Sequence, residues 1–282
     1  MQNARDIKRR INSVRSTQQI TKAMEMVAAA KLRRAQASVV ASRPYVNKMA
    51  ETISRIVARG VDISHTLLES RPGGPAYLVV SADRGLCGAY NANVLRFARE
   101  KIAADPGPVA VVGRKARDAM TRQQQDVIAQ LSLIEAEPCY EDASNIAEPL
   151  LKYFDQGVFG SLHLIYTEFI SPLQNRPRMV QLLPVSGFEP ASMPGQALYL
   201  YEPSPEEVLT SLLPRYVRSL IYHGLLESKA SEHGARMTAM KAATDNAADM
   251  IDKLTLSFNQ ARQAAITLEI LEVVNGAQAL EG

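Results

Sequence analysis

The stretch SEHGARMTAMKAATDNAADMIDKL, from Ser231 to Leu254, decides the fold because it predicts a long helix with a narrow packing face. Apolar or small residues recur there every three or four positions, which is the spacing of a helix face that packs on a partner. The stripe consists of Met237, Met240, Thr244, Ala247, Ile251, Leu254, Phe258, Ala261, Ala265 and Leu268. Such sustained spacing favours a left-handed coiled coil, and its small residues let two backbones approach closely.

The N-terminal region predicts the partner helix, beginning with Ile7, Ile11 and Val14. Pro44 lacks an amide hydrogen and is expected to kink this helix or restart it. The stripe continues through Ile20, Met24, Val27, Leu32, Ala35 and Val39, and beyond Pro44 through Val46, Met49, Ile53 and Ile56. Since a domain between two terminal helices can have adjacent entry and exit points, we expect the helices to pair antiparallel.

The middle of the chain alternates short apolar runs with helical patterns. AYLVV ends at Val80, a helical pattern starts at Asn91, and VAVVG ends at Gly113. This alternation predicts βαβ units and a largely parallel sheet with both faces covered. The last helix is predicted to start at Ser204 as the N-cap, with Pro205 at its first position.

The predicted fold class is therefore α/β. A long antiparallel two-helix coiled coil, formed by the terminal helices, is combined with a central Rossmann-like domain that has a mainly parallel sheet. The predicted domains are 1–58 with 205–282 for the coiled coil and 75–200 for the α/β domain, joined by a linker at 59–74. The cluster RPGGP, from Arg71 to Pro75, supports the end of this linker.

Composition and charge narrow the classes of function. Hydrophobic residues make up 46% of the 282 residues and charged residues 22%, which is typical of a folded chain. The longest apolar runs are far shorter than the ~20 residues of a membrane span. Cys87 and Cys139 do not make a disulfide framework and suggest a reducing compartment. Up to Arg43 the chain has ten basic residues against Asp6 and Glu25, which indicates an acidic partner.

The motif that most resembles a chemical site is SADRGLCG, from Ser81 to Gly88, which lies between a predicted strand and helix. α/β folds bind ligands at such places, but the phosphate-loop pattern G-x-x-x-x-G-K-[ST] is absent from the sequence. Cys87 is a candidate nucleophile at a helix N-terminus, whereas a purely structural turn is the favoured interpretation. The four histidines have no metal-ligand spacing, so neither a catalytic site, a metal nor a cofactor is predicted.

Five stretches resemble the γ subunit of the F-type ATP synthase, the central shaft of a rotary motor. They are INSVRSTQQITKAMEMVAAAKLRRAQ, LVVSADRGLCGAYN, YLYEP, ARMTAMKAATDNA and FNQARQAAITLEILEVVNGAQAL, in that order. The resemblance implies a coiled coil inside a ring of α and β subunits, and a body that binds the ε subunit and the membrane c-ring. It implies a peripheral protein on the cytoplasmic face of a bacterial inner membrane, present once per complex and coupling c-ring rotation to ATP synthesis and hydrolysis.

The same resemblance implies roles for individual residues. Arg262, Gln263 and Thr267 correspond to positions that hold the catch loop of a β subunit. Met24 and Arg236 correspond to positions that face the acidic lever loop of β, and Tyr199 and Glu202 to rotor-ring contacts. Two departures from the family pattern, Pro214 and Gly234, fall inside the last helix, and Gly234 is expected to cost about 1 kcal/mol there.

Two other functions stay open at this stage. The basic N-terminal helix suggests a nucleic-acid-binding coiled coil, although the chain lacks a cluster of aromatic residues for stacking. Cys87 suggests an α/β enzyme with a cysteine nucleophile.

Overall fold

The computed structural model describes residues 4–58, 65–131, 137–186 and 201–281. Its contacts divide the chain into two compact units. Unit 1 comprises Met1–Val27 and Met237–Gly282, and unit 2 comprises Ala28–Arg236. The predicted domains, 1–58 with 205–282 and 75–200, were instead divided at the ends of the long helices. These limits stay a prediction.

Five helices and five strands occur in the described residues. They are α1 Ala4–Ala58, β1 Pro75–Val80, α2 Tyr90–Ala104, β2 Val109–Val112, α3 Arg114–Arg122, β3 Val127–Leu131, α4 Tyr140–Asp155, β4 Ser161–Phe169, β5 Asn175–Leu183 and α5 Pro205–Glu281. Helix α1 continues through Pro44 and α5 through Pro214, so neither proline restarts its helix. Ser204 caps α5 as predicted, because its Oγ accepts a hydrogen bond from the Glu207 amide at 3.2 Å.

The sheet of unit 2 has the strand order β3-β2-β1-β4-β5. Strands β1 to β4 are parallel to one another, and β5 pairs antiparallel with β4 at the edge. In the centre, Leu78 of β1 lies opposite Ala110 of β2 and Leu164 of β4. The predicted, mainly parallel sheet is therefore confirmed, with one antiparallel strand added at its edge.

Alternate residues of β1 bury against different helices, as the twofold repeat of a strand requires. Leu78 and Val80 belong to an apolar cluster that includes residues of α1, α4 and α5, such as Ile53, Leu150 and Leu213. Their neighbours Tyr77 and Val79 belong to a second cluster with α2 and α3. Both faces of the sheet are covered, which explains why its central strands are continuously apolar.

Two glycines let α5 lie close to the sheet. A Cβ on Gly224 would be 2.7 Å from Cδ2 of Leu164. A Cβ on Gly234 would be 3.3 Å from Cα of Pro172, in the turn between β4 and β5. The structure explains why glycine occurs at position 234 despite its expected cost in a helix. A larger residue would meet backbone atoms of this turn.

We expect Gly234→Val to lower the free energy of unfolding by about 2 kcal/mol, because its branched side chain would overpack the space against Pro172. Thermal unfolding followed by circular dichroism measures the change. Gly276→Ala is the matched control, since a Cβ there meets no atom within 4 Å and alanine favours the helix by about 1 kcal/mol. A wild-type melting temperature for Gly234→Val would contradict the close-packing argument.

Unit 1 is an antiparallel coiled coil of residues 4–27 of α1 and 237–281 of α5. Its packing face is narrow, as predicted, with Ile7, Ile11, Met240 and Ala247 buried. Thr21 and Thr244 meet across the helices, with 2.8 Å between their Oγ1 atoms. Small and half-polar side chains therefore fill much of this interface.

The predicted stripe is wrong at Ile20 and Val27. Ile20 is 60% exposed and Val27 is 57% exposed, whereas Gln18 and Thr21 are half-buried. The packing face follows the helical spacing through Gln18 and Thr21 because a residue one position away points about 100° to the side. Ile20 and Val27 thus form part of an outer apolar surface.

The predicted stripe is also wrong at Ala265 and Leu268. The Thr21–Thr244 contact sets a register that places Ala4, where α1 begins, opposite Ala261. Every residue from Arg262 to Gln278 is exposed, including Leu268 at 56%. The described part of α1 therefore lies opposite residues of α5 up to Ala261 and does not cover Ala265 or Leu268.

Candidate functional site

Strand β1 marks the place where the order of the sheet reverses. The chain passes from β1 to β2 and β3 on one side, and β4 lies on the other side of β1. The loop Ser81–Gly88 leaves the carboxyl end of β1 at this point. Ligands of open α/β sheets bind in the crevice beside such a loop, so this is the first place to examine for a reaction centre.

Helix α5 fills this crevice. The space that remains has a volume of about 20 Å³, and its lining includes Ser81 and Tyr90 together with Ser228 and Glu232 of α5. Ligand pockets usually measure ~300–1,000 Å³, so a nucleotide has no room here.

The loop itself is held by bonds of a structural turn. Oδ1 of Asn91 accepts from the Ala82 amide at 3.1 Å, and its Nδ2 donates to the Arg84 carbonyl at 3.3 Å. Oδ1 of Asp83 accepts from the Arg114 amide at 2.9 Å. These polar side chains bond to backbone groups within the fold, as the favoured interpretation of SADRGLCG predicts.

The structure argues against Cys87 as a nucleophile. Its side chain is buried with 1% exposure, and Nδ2 of Asn91 donates to its Sγ at 3.1 Å. Burial raises the pKa of the Cys87 thiol and outweighs the opposite effect of Arg236. A buried thiol that stays protonated at neutral pH is typical of a structural cysteine.

The histidines of unit 2 take part in local packing. Nε2 of His163 lies 3.2 Å from Oγ of Ser161, and Nε2 of His223 lies 3.1 Å from Glu227. Within the described ranges, no group of three residues has the arrangement of a metal site.

In the part of the chain that the structure describes, no helix is sufficiently long and apolar to cross a bilayer.

Three of the predicted site residues lie together on the uncovered end of α5 in unit 1. Arg262, Gln263 and Thr267 are all exposed, and Oγ1 of Thr267 donates to the Gln263 carbonyl at 3.0 Å. They adjoin exposed apolar side chains, with exposures between 47% and 67%: Ile266, Leu268, Ile270, Leu271, Val273 and Val274. An exposed apolar surface of this kind marks an interaction site.

The other predicted site residues have different surroundings. Met24 is half-buried in unit 1, and Glu202 is exposed just before α5 in unit 2. Arg236 belongs to unit 2, where its side chain is 13% exposed and contacts Glu232 at 2.7 Å. Tyr199 lies outside the described residues.

Sequence reasoning missed the polar residues of α5 that contact the sheet and the Ser81–Gly88 loop. Glu232, Ser228 and Ser231 are buried, although their types are usually exposed on helices. Their signal in the sequence is the spacing of three and four, which places them on one helix face with the apolar Leu225.

Comparison with known proteins identifies the family. A family model described as ATP synthase matches residues 3–280. The ATP synthase gamma chain of Heliobacterium modesticaldum is 50% identical over 289 residues, covering 99% of this chain and 100% of that relative. The gamma chain of Desulforamulus reducens is 49% identical over 283 residues, covering all of both chains.

Solved structures agree. A chain of the Tetrahymena thermophila mitochondrial ATP synthase, from a structure of the central stalk and c-ring, is 25% identical with a TM-score of 0.62. The match covers 79% of this chain and 99% of that chain. A chain of the Euglena gracilis mitochondrial ATP synthase is 18% identical and shares the fold, with a TM-score of 0.69 and coverage of 98% and 94%. The resemblance of the five sequence stretches is thus confirmed, and the chain belongs to the ATP synthase gamma chain family, the rotor subunits of the central stalk.

Proposed function

We propose that this chain couples rotation of a membrane ring to ATP synthesis and hydrolysis by presenting different faces to the subunits around it. The observation that carries the proposal is the end of α5, where a helix exposes apolar side chains from Ile266 to Val274. From Ala264 to Gln278 the chain has just two charged residues, Glu269 and Glu272. Such a surface favours enclosure in an apolar sleeve formed by larger subunits.

Asymmetry supplies the mechanism. A coiled coil of two different helices has no threefold symmetry, whereas a ring of three αβ pairs nearly has it. Each β subunit therefore meets a different face of the shaft and is biased towards a different conformation. A tenfold change in nucleotide affinity requires ~1.4 kcal/mol of differential contact. Because coupling is reciprocal, turning the shaft changes nucleotide binding, and nucleotide binding turns the shaft.

The proposed partners are the α and β subunits, the ε subunit and the membrane c-ring, with one copy of this chain per complex. The nucleotide sites lie in the α and β subunits, since a gamma chain is a non-catalytic subunit. The proposed location is the cytoplasmic face of a bacterial inner membrane, with attachment through the c-ring. The domains at 1–58 with 205–282 and at 75–200 are proposed as the shaft and the body that rests on the ring.

Individual contacts follow from the same proposal. Arg262, Gln263 and Thr267 contact the catch loop of a β subunit, which agrees with their exposure on the uncovered end of α5. Met24 and Arg236 face the acidic lever loop of β. Tyr199 and Glu202 contact the rotor ring.

The catch contact is tested by Arg262→Ala combined with Gln263→Ala in the reconstituted αβγ complex. We expect ATP hydrolysis to fall about tenfold, which corresponds to a loss of ~1.4 kcal/mol of contact with β. The melting temperature of the free chain should stay unchanged, because both side chains are exposed.

The matched control replaces Asp252 and Lys253, two exposed polar residues of the same helix, with alanine. This variant is expected to hydrolyse ATP at the wild-type rate. Wild-type hydrolysis by the Arg262→Ala and Gln263→Ala variant would refute the catch contact, whereas ATPase activity of the isolated chain would refute its non-catalytic role.

A further inference from the structure

We propose that the Ser81–Gly88 loop and the end of β4 hold α5 against rotation about its own axis, with Glu232 as the positioning residue. The attachment, called here the Glu232 clamp, consists of Glu232, Lys229, Arg236 and the Gly85 carbonyl. It lies entirely within unit 2. The inference rests on the proposed function, because its purpose is to transmit torque between the sheet and this helix.

The clamp is built around a buried carboxylate. Oε1 of Glu232 contacts Nη1 of Arg236 at 2.7 Å, and Oε2 contacts Nζ of Lys229 at 3.2 Å. The side chains of Glu232, Lys229 and Arg236 are between 8% and 14% exposed. Burial alone would raise the pKa of Glu232, but the two cations outweigh it and hold the pKa below its usual range. Glu232 is therefore ionised at neutral pH and fixed between two partners.

Arg236 joins this charge network to the loop. Its Nη2 donates a hydrogen bond to the Gly85 carbonyl at 3.2 Å, across 151 positions of the sequence. The loop in turn is fixed by the bonds of Asn91 and Asp83 described above. One guanidinium therefore connects Glu232 on the helix with the loop at the carboxyl end of β1.

A second attachment lies on the same face of α5. Oγ of Ser228 accepts from the Thr167 amide at 3.3 Å, and Oγ of Ser231 donates to the Thr167 carbonyl at 3.2 Å. Both backbone groups of Thr167 therefore bond to hydroxyls of α5, which attaches the helix directly to the end of β4.

The geometry of these attachments favours resistance to rotation. Ser231 and Glu232 lie three and four positions after Ser228, so each adjoins Ser228 on the helix surface, and their side chains point to the two sides of its face. Apolar burial is non-directional, so apolar contacts alone would let a helix roll between similar packings. Directional bonds to the loop on one side and to β4 on the other oppose such rolling.

A different role for Arg236, direct contact with the lever loop of β, belongs to the proposed function. The two roles make different predictions for Glu232. If Arg236 acts through the clamp, removing Glu232 should have the same effect as removing Arg236. If Arg236 acts through a contact with β, Glu232→Gln should have little effect of its own.

The experiment uses the complete synthase reconstituted in lipid vesicles and measures protons transported per ATP hydrolysed. We expect Glu232→Gln and Arg236→Gln each to lower this ratio about two- to threefold, and the double variant to lower it no further. Glu148→Gln is the matched control, because it removes an exposed ion pair with Lys152, also four residues apart on a helix. That control is expected to keep the wild-type ratio.

Three results would overturn the clamp: an unchanged ratio in Glu232→Gln, a change confined to Arg236→Gln, or additive effects in the double variant. If Glu232→Gln does not assemble, Ser231→Ala tests the second attachment. A lower ratio in that variant at a wild-type hydrolysis rate supports the proposal that these attachments hold α5 against rotation, and a wild-type ratio overturns that proposal. If the proposed function itself is wrong, the wild-type complex will not couple ATP hydrolysis to proton transport. That failure can therefore be distinguished from failure of the clamp.

Discussion

Gly113→Ala is expected to lower the free energy of unfolding by about 4 kcal/mol, because the site excludes a side chain in two ways. Gly113 has φ +92° and ψ 142°, a conformation available almost only to glycine, which costs other residues ~1–3 kcal/mol. A Cβ would also lie 2.3 Å from the carbonyl oxygen of Ser81, a backbone atom that cannot move without shifting β1. Overpacking of this kind costs a further ~1–3 kcal/mol.

Urea unfolding of the full chain, followed by tyrosine fluorescence, measures the change. All ten tyrosines fall between residues 45 and 222, so this signal reports on unit 2. Gly85→Ala is the control, since a Cβ there meets no atom within 4 Å and the Gly85 carbonyl is kept. An unfolding midpoint for Gly113→Ala equal to that of Gly85→Ala would show that the close approach of Gly113 to Ser81 is absent in solution.

Because of His233, the free energy of unfolding of unit 2 is expected to fall by about 3 kcal/mol between pH 6.5 and pH 4. The imidazole is buried at 3% exposure, and neither ring nitrogen has a hydrogen-bond partner within the described residues. Burial lowers the pKa of His233 to about 4. As pH falls through this window, His233 becomes protonated in the unfolded chain but stays neutral in the folded chain. The free energy of unfolding therefore decreases. Well above pH 6.5 both states are neutral at this residue, and its contribution is constant.

Urea unfolding midpoints at pH values from 7 to 4.5, compared between the wild type and His233→Leu, isolate this contribution. The variant should have a flatter dependence on pH, because leucine has no proton to gain. Burial also lowers the pKa of His65 and of His163, so part of the slope should remain. Parallel curves for the two proteins would show that His233 is not buried as described.

Residue spacing was sufficient to predict the elements and their general arrangement. The three-and-four spacing predicted both long helices, and the alternation of apolar runs with helical patterns predicted the parallel sheet. The Ser204 cap was also predictable, since N-cap preference depends on a few adjacent residues. These features are local or repeat along the chain, so a single sequence contains them.

The prediction of the packing stripe was wrong where the same apolar spacing occurs on an exposed face. Ile20, Val27 and Leu268 have the spacing of packing residues, yet all three are more than half exposed. An apolar face that packs inside the chain and one that is offered to a partner have the same spacing. The end of the coiled coil depends instead on where α1 begins, which the pattern in α5 cannot reveal.

The sequence predicted where the candidate site lies, but not that residues of α5 fill its crevice. The Ser81–Gly88 loop was expected at the carboxyl end of a strand, and it lies there. Its crevice is filled by Ser228 and Glu232. These residues are ~150 positions further along the chain, and no local pattern joins the two segments. The sequence predicted only that Gly234 is costly in its helix. Its contact with Pro172 is a tertiary one, which no local pattern reveals.

The uncovered end of α5, beyond Ala261, has a consequence for the newly made chain. The 20 residues from Arg262 to Glu281 extend past the described part of α1, and helices in proteins owe most of their stability to such packing. This segment also exposes a run of branched aliphatic side chains. Until the proposed α and β partners enclose it, this exposed apolar segment attracts other unfolded or apolar surfaces. A cell that synthesises this chain in excess of the proposed α and β partners should therefore accumulate aggregated or degraded protein.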